Sequence, residues 1–497
     1  MVMRTREQQL EQLAATPNFD LIVVGGGATG LGVALDAVTR GLRVALFEAQ
    51  DFASGTSSRA TKLVHGGVRY LAQGHIPLVR EALRERSRLL TNAPHNAHSL
   101  SFVMPSYHWW EKPFYGLGLK AYDALAGTHG LGATEFLSVS DTRKALPGVR
   151  LQGLTGGVRY LDGQFNDARL AIDLARTAAS LGVLVLNYCA VQRLIEDEGR
   201  VTGVQVMDQE TQRSYTVRSA CVINAAGVWV DALRGADQAL PSTAKPRLVR
   251  PSRGVHLVIS RDFMPASSAM LIPKTRDGRV LFIVPWLGHL ILGTTDTPVD
   301  DFSREPQADK ADVDFILGEA AHYLTRAPTR ADVLSIWAGL RPLVQDADAR
   351  NTKTISREHT IEVAPNGLLT VTGGKWTTYR SMAEDVLNHA IHAGLLPQAT
   401  TCESTTQSLA LLGADSPCNQ PNPAAASDPA FIQFAVQHEF ARCVEDILAR
   451  RSRALFLNAQ LASQLAPKVA PQLLALGLPN PNLDGFLCKA QQYQVCP

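Results

Sequence analysis

The sequence predicts an α/β protein: a Rossmann-like dinucleotide-binding domain, an antiparallel-sheet domain inserted into it, and a small C-terminal helical domain. Three observations carry this expectation. FDLIVV (19–24) runs into GGGATG, then into a helical pattern closed at Gly41, then into RVALFE, which together read as strand, turn, helix and strand. Between residues 246 and 344 the pattern changes to short alternating runs such as GVHLVIS, RVLFIVPW and HLILGTTD, separated by turn residues, as in an antiparallel sheet. Beyond the Pro/Ala-rich stretch GADSPCNQPNPAAASDPA the pattern is helical again, with Phe440, Val444 and Ile447 or Leu448 expected on one face of an amphipathic helix.

Composition fits large buried cores. Of 497 residues, 45% are hydrophobic and 19% charged, which excludes a disordered chain. With 48 Lys and Arg against 46 Asp and Glu, the net charge points to no nucleic-acid partner. Seven cysteines are scattered without a CxxC spacing, so neither a disulfide scaffold nor a zinc site is expected, and a reducing cytoplasm fits. Residues 1–18 read as a polar tail without the apolar segment of a signal peptide, and no apolar run is long enough to span a membrane.

The first hundred residues hold the clearest chemistry. Gly25, Gly27 and Gly30 match the GxGxxG fingerprint: a tight turn, a close approach to a pyrophosphate, and tight packing of the following helix. The helix N-terminus would receive the anion, and Glu48, ending the second strand, is placed to accept hydrogen bonds from a ribose. The fingerprint serves NAD and FAD alike. The loop AQDFASGTSSRATKLVHGGVRYL that follows is too elaborate for a plain connection, and Ser57, Ser58 and Thr61 offer hydroxyls that could continue along a pyrophosphate toward a flavin.

At this point the chain resembles the family of FAD-dependent glycerol-3-phosphate dehydrogenases of the aerobic, quinone-linked type. GGGATG, EAQDFASGTSSRATKLVHGGVRYL, FNDARL, VINAAGVWVD, PSRGVHLV, LGTTDTP, WAGLRPL and GGKWTTYR occur in the family's order, over roughly residues 19 to 385. The resemblance implies FAD as cofactor, held without a covalent bond because no cysteine lies in these motifs. It divides the chain into FAD-binding parts at about 19–75, 150–245 and 345–385, substrate parts at about 76–149 and 246–344, a helix and linker at 386–430, and a helical domain at 431–497. Ala190 and Val191 match the segment that supports the adenine, and Gly227 a second close approach to FAD. Gly373 and Gly374 would let backbone approach the flavin, with Thr377 hydrogen-bonding nearby. Between these segments, VLVLNYCAVQRLIEDEGRVTGVQVMDQETQRSYTVRSACVINAAG reads as alternating strands with turns at Gly199 and Gly203.

The implied substrate is glycerol 3-phosphate, whose phosphate needs several cations. Arg69, Arg357 and Lys375 are assigned to the phosphate, and Arg341 to the reacting hydroxyl or the developing carbonyl oxygen. His65 is the expected general base, since an unperturbed imidazole titrates near pH ~6.5. GGVRYL occurs at 66–71 and again at 156–161, but the second copy leads into FNDARL and a helix near Asp167, so Arg159 is expected to be a solvated strand residue. The acceptor implied is a membrane quinone, with peripheral attachment to the inner face of the cytoplasmic membrane. The aromatic stretch YHWWEKPFYGLGLKAY (107–122) is a candidate anchor, and a homodimer is a further implied assembly. An oxygen-using glycerophosphate oxidase is the nearest alternative. Some oxidases of the family carry a long insertion between the motifs of Arg341 and Arg357, which here are sixteen positions apart. An amine or amino-acid oxidase of similar fold would need fewer cations, and a noncatalytic flavin-binding protein that merely binds membrane or a partner is an alternative from a different class.

Overall fold

The structure, a computed structural model, describes residues 4–68, 71, 74–235, 247–344, 359–396, 403–419 and 423–495. Arg69 and Arg357 lie outside the described residues. Two sheets organise the chain. The first has eight strands, with five in parallel in the order Leu369–Gly373, Ser214–Asn224, Asn18–Val24, Val44–Phe47 and Leu184–Leu186. Leu21, Ile22 and Val23 are fully buried, as expected of a parallel strand covered on both faces. The helices Ala28–Thr39, Asp167–Ser180 and Tyr379–His392 cover one face. In register, Val24 stands opposite both Phe47 and Asn224, so the strands end together along one edge. That edge is where open α/β sheets bind ligands.

Antiparallel additions complete this sheet. His359–Val363 pairs with Leu369–Gly373, and the ribbon Cys189–Asp197 and Arg200–Asp208 leads into Ser214–Asn224. Gly199 makes the expected turn with φ +75°, whereas Gly203 lies within a strand, where a Cβ would sit 2.1 Å from the Val217 carbonyl oxygen.

The second sheet has ten strands and is antiparallel except where Ala269–Ile272 joins Ala97–Ser106. Its longest pairing joins Val249–Ser260 to Val333–Val344. Gly156–Phe165, placed by the sequence reading in the cofactor part that starts near 150, is a strand of this second sheet. It pairs with Ala97–Ser106 over an unbroken ten-residue register, from Ser106 opposite Gly156 to Ala97 opposite Phe165. Leu63–Val64 pairs with it on the other side.

Two further expectations are corrected. The N-terminal segment contains a helix, Arg6–Ala15, started by a capping box of Thr5 and Gln8. It docks by burying Leu13 and by an ion pair of Arg6 with Asp208 at 2.6 Å. The single amphipathic helix expected through Phe440 and Leu448 is broken. Phe440 has φ +59° and turns its ring to Phe52, with centroids 5.3 Å apart, while Val444, Ile447 and Leu448 enter a different core. A π-helical turn, Asp446–Arg451, follows, and from it Arg450 and Arg451 both reach Asp51. The helices Pro429–His438, Ala459–Ala475 and Leu483–Gln492 complete this C-terminal domain. Among the described residues no group of side chains is suited to a metal ion, and no helix is long and apolar enough to cross a membrane.

Candidate active site

A cleft of about 440 Å³ opens at the common end of the parallel strands. Its floor is built by the glycine turn. Gly25 has φ +112°, and a Cβ there would lie 2.6 Å from the Ala225 carbonyl oxygen, so the residue must be glycine for strand and turn to close. Gly27 caps the N-terminus of the helix Ala28–Thr39. At Gly30 a Cβ would sit 1.9 Å from the Gly25 carbonyl oxygen, so this glycine sets the packing of helix on turn. The helix therefore presents its first amides and positive dipole end to the cleft, the arrangement that binds a pyrophosphate.

Glu48 lies beside this turn. Its carboxylate accepts from the Gly26 amide at 2.7 Å and from the Gln50 amide at 2.9 Å. Burial pushes its carboxyl upward against the lowering effect of those two amides. Ser57 also lines the cleft, and its Oγ accepts from the Ala28 amide at 2.9 Å. Val191, Gly227, Gly373, Gly374 and Lys375 complete the expected lining. A glycine cradle, a helix start and an acid at the second strand end suit the donor and acceptor pattern of a dinucleotide, so these residues fit FAD.

Besides Gly30, which acts through helix packing, four expected cofactor residues stand outside the lining. Ser58 is buried, and its carbonyl accepts from Lys62 at 2.8 Å and Arg453 at 2.7 Å. Thr61 Oγ1 is 2.9 Å from His256 Nε2. Ala190 sits in the antiparallel ribbon opposite Met207. Thr377 is buried, and its hydroxyl accepts from the His65 amide at 3.3 Å.

That last bond ties His65 to the turn that carries Lys375. On the other side of His65, the Gly66 amide donates to the Tyr122 hydroxyl at 2.8 Å, and a Cβ at Gly66 would lie 2.5 Å from that oxygen. The backbone on both sides of the histidine is therefore fixed. Arg341 comes from the second sheet. Its guanidinium donates to the Thr295 carbonyl at 3.1 Å, Asp296 at 3.2 Å and Thr294 Oγ1 at 3.1 Å. Gly254 makes room for it, since a Cβ there would be 2.4 Å from Nη2. Pro342, the next residue, lines the cleft, and its strand packs against Leu369–Gly373. Of the three, Lys375 lines the cleft, whereas Arg341 and His65 stand outside its lining, Arg341 one residue before the lining Pro342 and His65 bonded through its amide to Thr377, two residues after Lys375.

Several lining residues carried no clear signal in the sequence. Trp376 lines the cleft, and its indole N–H donates to the Ser57 carbonyl at 2.9 Å. It sits inside GGKWTTYR, so the motif was visible but the role of its tryptophan was not. Glu445, Arg450 and Lys489 reach the cleft from the C-terminal domain, about 400 residues along the chain from Glu48, which no local pattern reveals. On the sheet face shared with Arg341, His256 stacks on Trp337 with ring centroids 4.1 Å apart. Burial, then the charges of Lys62 and Arg341, hold this imidazole well below its ordinary range, so it is neutral.

Residues 20–380 match the family described as FAD dependent oxidoreductase, and residues 416–475 match the C-terminal domain of alpha-glycerophosphate oxidase. The mitochondrial glycerol-3-phosphate dehydrogenase of Rattus norvegicus is 40% identical over 94% of this chain and 71% of its own length, and that of Homo sapiens 39% identical over the same shares. Among solved structures, the glycerol-3-phosphate dehydrogenase from Bacillus halodurans complexed with FAD superposes with a TM-score of 0.78 at 28% identity, covering 99% of this chain and 98% of that one. Glycine oxidase from Bacillus cereus, at 20% identity and a TM-score of 0.53 over 80% of this chain and 98% of that one, shares the fold. The chain belongs to the family of FAD-dependent glycerol-3-phosphate dehydrogenases.

Proposed function

We propose that the protein oxidises sn-glycerol 3-phosphate to dihydroxyacetone phosphate and passes the electrons to a membrane quinone. One observation carries this reading: Lys375 and the glycine turn Gly373–Gly374 line a dinucleotide cleft whose lining also takes in Pro342, the residue after Arg341 on the second sheet. A small dianionic alcohol bound there would have its phosphate on cations and its carbinol toward the flavin. FAD, when bound, supplies the acceptor for the hydride that leaves the carbinol carbon.

The chain's own residues do the rest. Lys375, with Arg69 and Arg357 from the sequence reading, holds the phosphate. Arg341, held in place by Thr294, Thr295 and Asp296, steadies the oxygen that becomes the carbonyl. His65 takes the hydroxyl proton, and the bond of its own amide to Thr377 with that of the next amide, Gly66, to Tyr122 fixes where its ring starts. Gly373 and Gly374, at φ +84° and +74°, keep the backbone close to the flavin.

Peripheral attachment to the inner face of the cytoplasmic membrane is supported by the helix Glu111–Ala126 and its approach. Trp109, Phe114 and Leu117 are 83%, 66% and 72% exposed, with Trp110 and Phe136 nearby and Lys120 over the Phe136 ring at 5.1 Å. Exposed aromatics among lysines suit a bilayer interface rich in anionic lipid. Replacing Trp109, Phe114 and Leu117 by serine is expected to move the protein from pellet to supernatant with anionic vesicles, and unchanged sedimentation would remove this surface from the account.

The acceptor is tested by steady-state turnover with glycerol 3-phosphate, comparing a soluble quinone analogue with dissolved oxygen. Faster turnover with the quinone supports a dehydrogenase, whereas equal or faster turnover with oxygen would make the protein an oxidase.

A further inference from the structure

The loop between the strand Thr297–Pro298 and the helix Lys310–Tyr323 contributes Arg304 and Glu305 to the lining of the cleft. It is fastened at three successive places. The Trp229 indole donates to the Phe302 carbonyl at 2.8 Å. Arg59, buried and two residues beyond the cleft-lining Ser57, donates to the Arg304 carbonyl at 3.1 Å and to Glu305 at 2.7 Å. Glu305 is held a second time from the C-terminal domain, by the Tyr493 hydroxyl at 2.7 Å and by Lys489 at 3.2 Å. Both the cofactor loop and the C-terminal domain therefore fix the backbone of Arg304.

The Arg304 side chain lines the cleft, close enough for its charge to bear on the Glu48 carboxylate. Charge bookkeeping around the rim then singles it out. Arg450 is taken up by Asp51, Glu445 and Asp446, and Lys489 by Glu305 and Glu445. Glu48 is satisfied by the amides of Gly26 and Gln50. Arg304 makes no ion pair among the described residues, although its backbone is pinned and its side chain lines a site built to receive an anion. A guanidinium so placed has the reach and geometry for bidentate contact with phosphate oxygens.

We propose that Arg304 is a cofactor-binding residue that meets the pyrophosphate of FAD in this cleft, on a strap locked by Arg59, Glu305, Lys489 and Tyr493. The inference rests on the flavin reading of the cleft and adds to it a ligand contributed by the substrate domain. It also gives the C-terminal domain a part in flavin retention, because Lys489 and Tyr493 hold the strap through Glu305.

The test is FAD binding to the flavin-free protein, followed by quenching of flavin fluorescence, for wild type, R304K, R304A and R304E. The melting temperature of each flavin-free variant serves as the check on folding, since the side chain is exposed. Affinity is expected to fall in the order wild type, R304K, R304A, R304E, with R304A at least about tenfold weaker at low salt and the gap narrowing at high salt. Glu305→Gln, which loosens the strap and leaves the Arg304 charge in place, is expected to speed FAD release severalfold. Equal affinity of R304A and wild type, or equal losses in R304A and R304E, would overturn the inference while leaving the flavin reading intact. Failure of the wild-type chain to bind FAD at all would overturn both.

Discussion

At the scale of single residues, the two copies of GGVRYL show how context divides identical sequence. Arg159 is partly exposed on the strand Gly156–Phe165, where it pairs with Glu135, and it is not among the residues that line the cleft. Arg159→Ala is therefore expected to leave flavin reduction by glycerol 3-phosphate nearly unchanged, whereas Arg69→Ala and Lys375→Ala are each expected to lower kcat/KM by about 2–4 kcal/mol, or about 30- to 900-fold. Stopped-flow reduction of the three variants without oxygen checks this, and equal losses at Arg69 and Arg159 would refute the assignment. The glycines and Glu48 were legible because each meets a backbone demand that its own neighbours in sequence reveal. Ser58, Thr61 and Thr377 were not. All three lie in polar motifs, but the Ser58 hydroxyl donates to the Gly55 carbonyl, the Thr61 hydroxyl meets His256 and the Thr377 hydroxyl accepts from the His65 amide, and a hydroxyl's direction is set by tertiary packing.

Among elements, the strand, turn and helix at residues 18–39 were the easiest to read, because buried β-branched residues, the glycine spacing and helical periodicity agree there. Gly25→Ala tests that unit. An added Cβ would meet the Ala225 carbonyl in a left-handed backbone conformation, so the turn must open. The variant is expected to be isolated without flavin and to melt at a lower temperature than the flavin-free wild type; absorbance at flavin wavelengths and a thermal melt report the two effects. The strand Gly156–Phe165 was harder, since its alternation fits either sheet and its partner lies some fifty residues earlier. The segment from Phe440 to Arg451 was hardest. Its apolar spacing is helical, yet the chain breaks at Phe440 and widens into a π turn, with Arg450 and Arg451 both on the buried Asp51.

For the whole molecule, the C-terminal domain is joined to the cofactor domain by buried charges. Arg169, near the start of the helix Asp167–Ser180, holds Glu439 through two bonds of 2.6 Å. Burial by itself would raise the Glu439 carboxyl, but the charge and hydrogen bonds of Arg169 outweigh it and set the group at about 2. Glu445 is set at about 2 in the same way by Arg450 and Lys489. Both groups titrate near 4.5 when unfolded, so protonation favours the unfolded chain. Their contribution is complete above about pH 4.5 and drains away as the pH falls toward 2. Melting temperature measured against pH should therefore drop through this window, and Glu439→Gln should flatten the drop while lowering stability at neutral pH. Arg169→Ala, which leaves a buried carboxylate without its partner, is expected to cost about 3–5 kcal/mol in urea unfolding.

The same scale holds the central claim, that two sheets and a C-terminal domain close around one flavin and one small phosphorylated alcohol. Mixing the FAD-loaded protein with glycerol 3-phosphate in the absence of oxygen tests it most directly. Rapid bleaching of the flavin absorbance, with dihydroxyacetone phosphate formed in one-to-one ratio to the flavin reduced, is the predicted result. A flavin that stays oxidised with glycerol 3-phosphate, or that is bleached instead by amines or amino acids, would contradict the account.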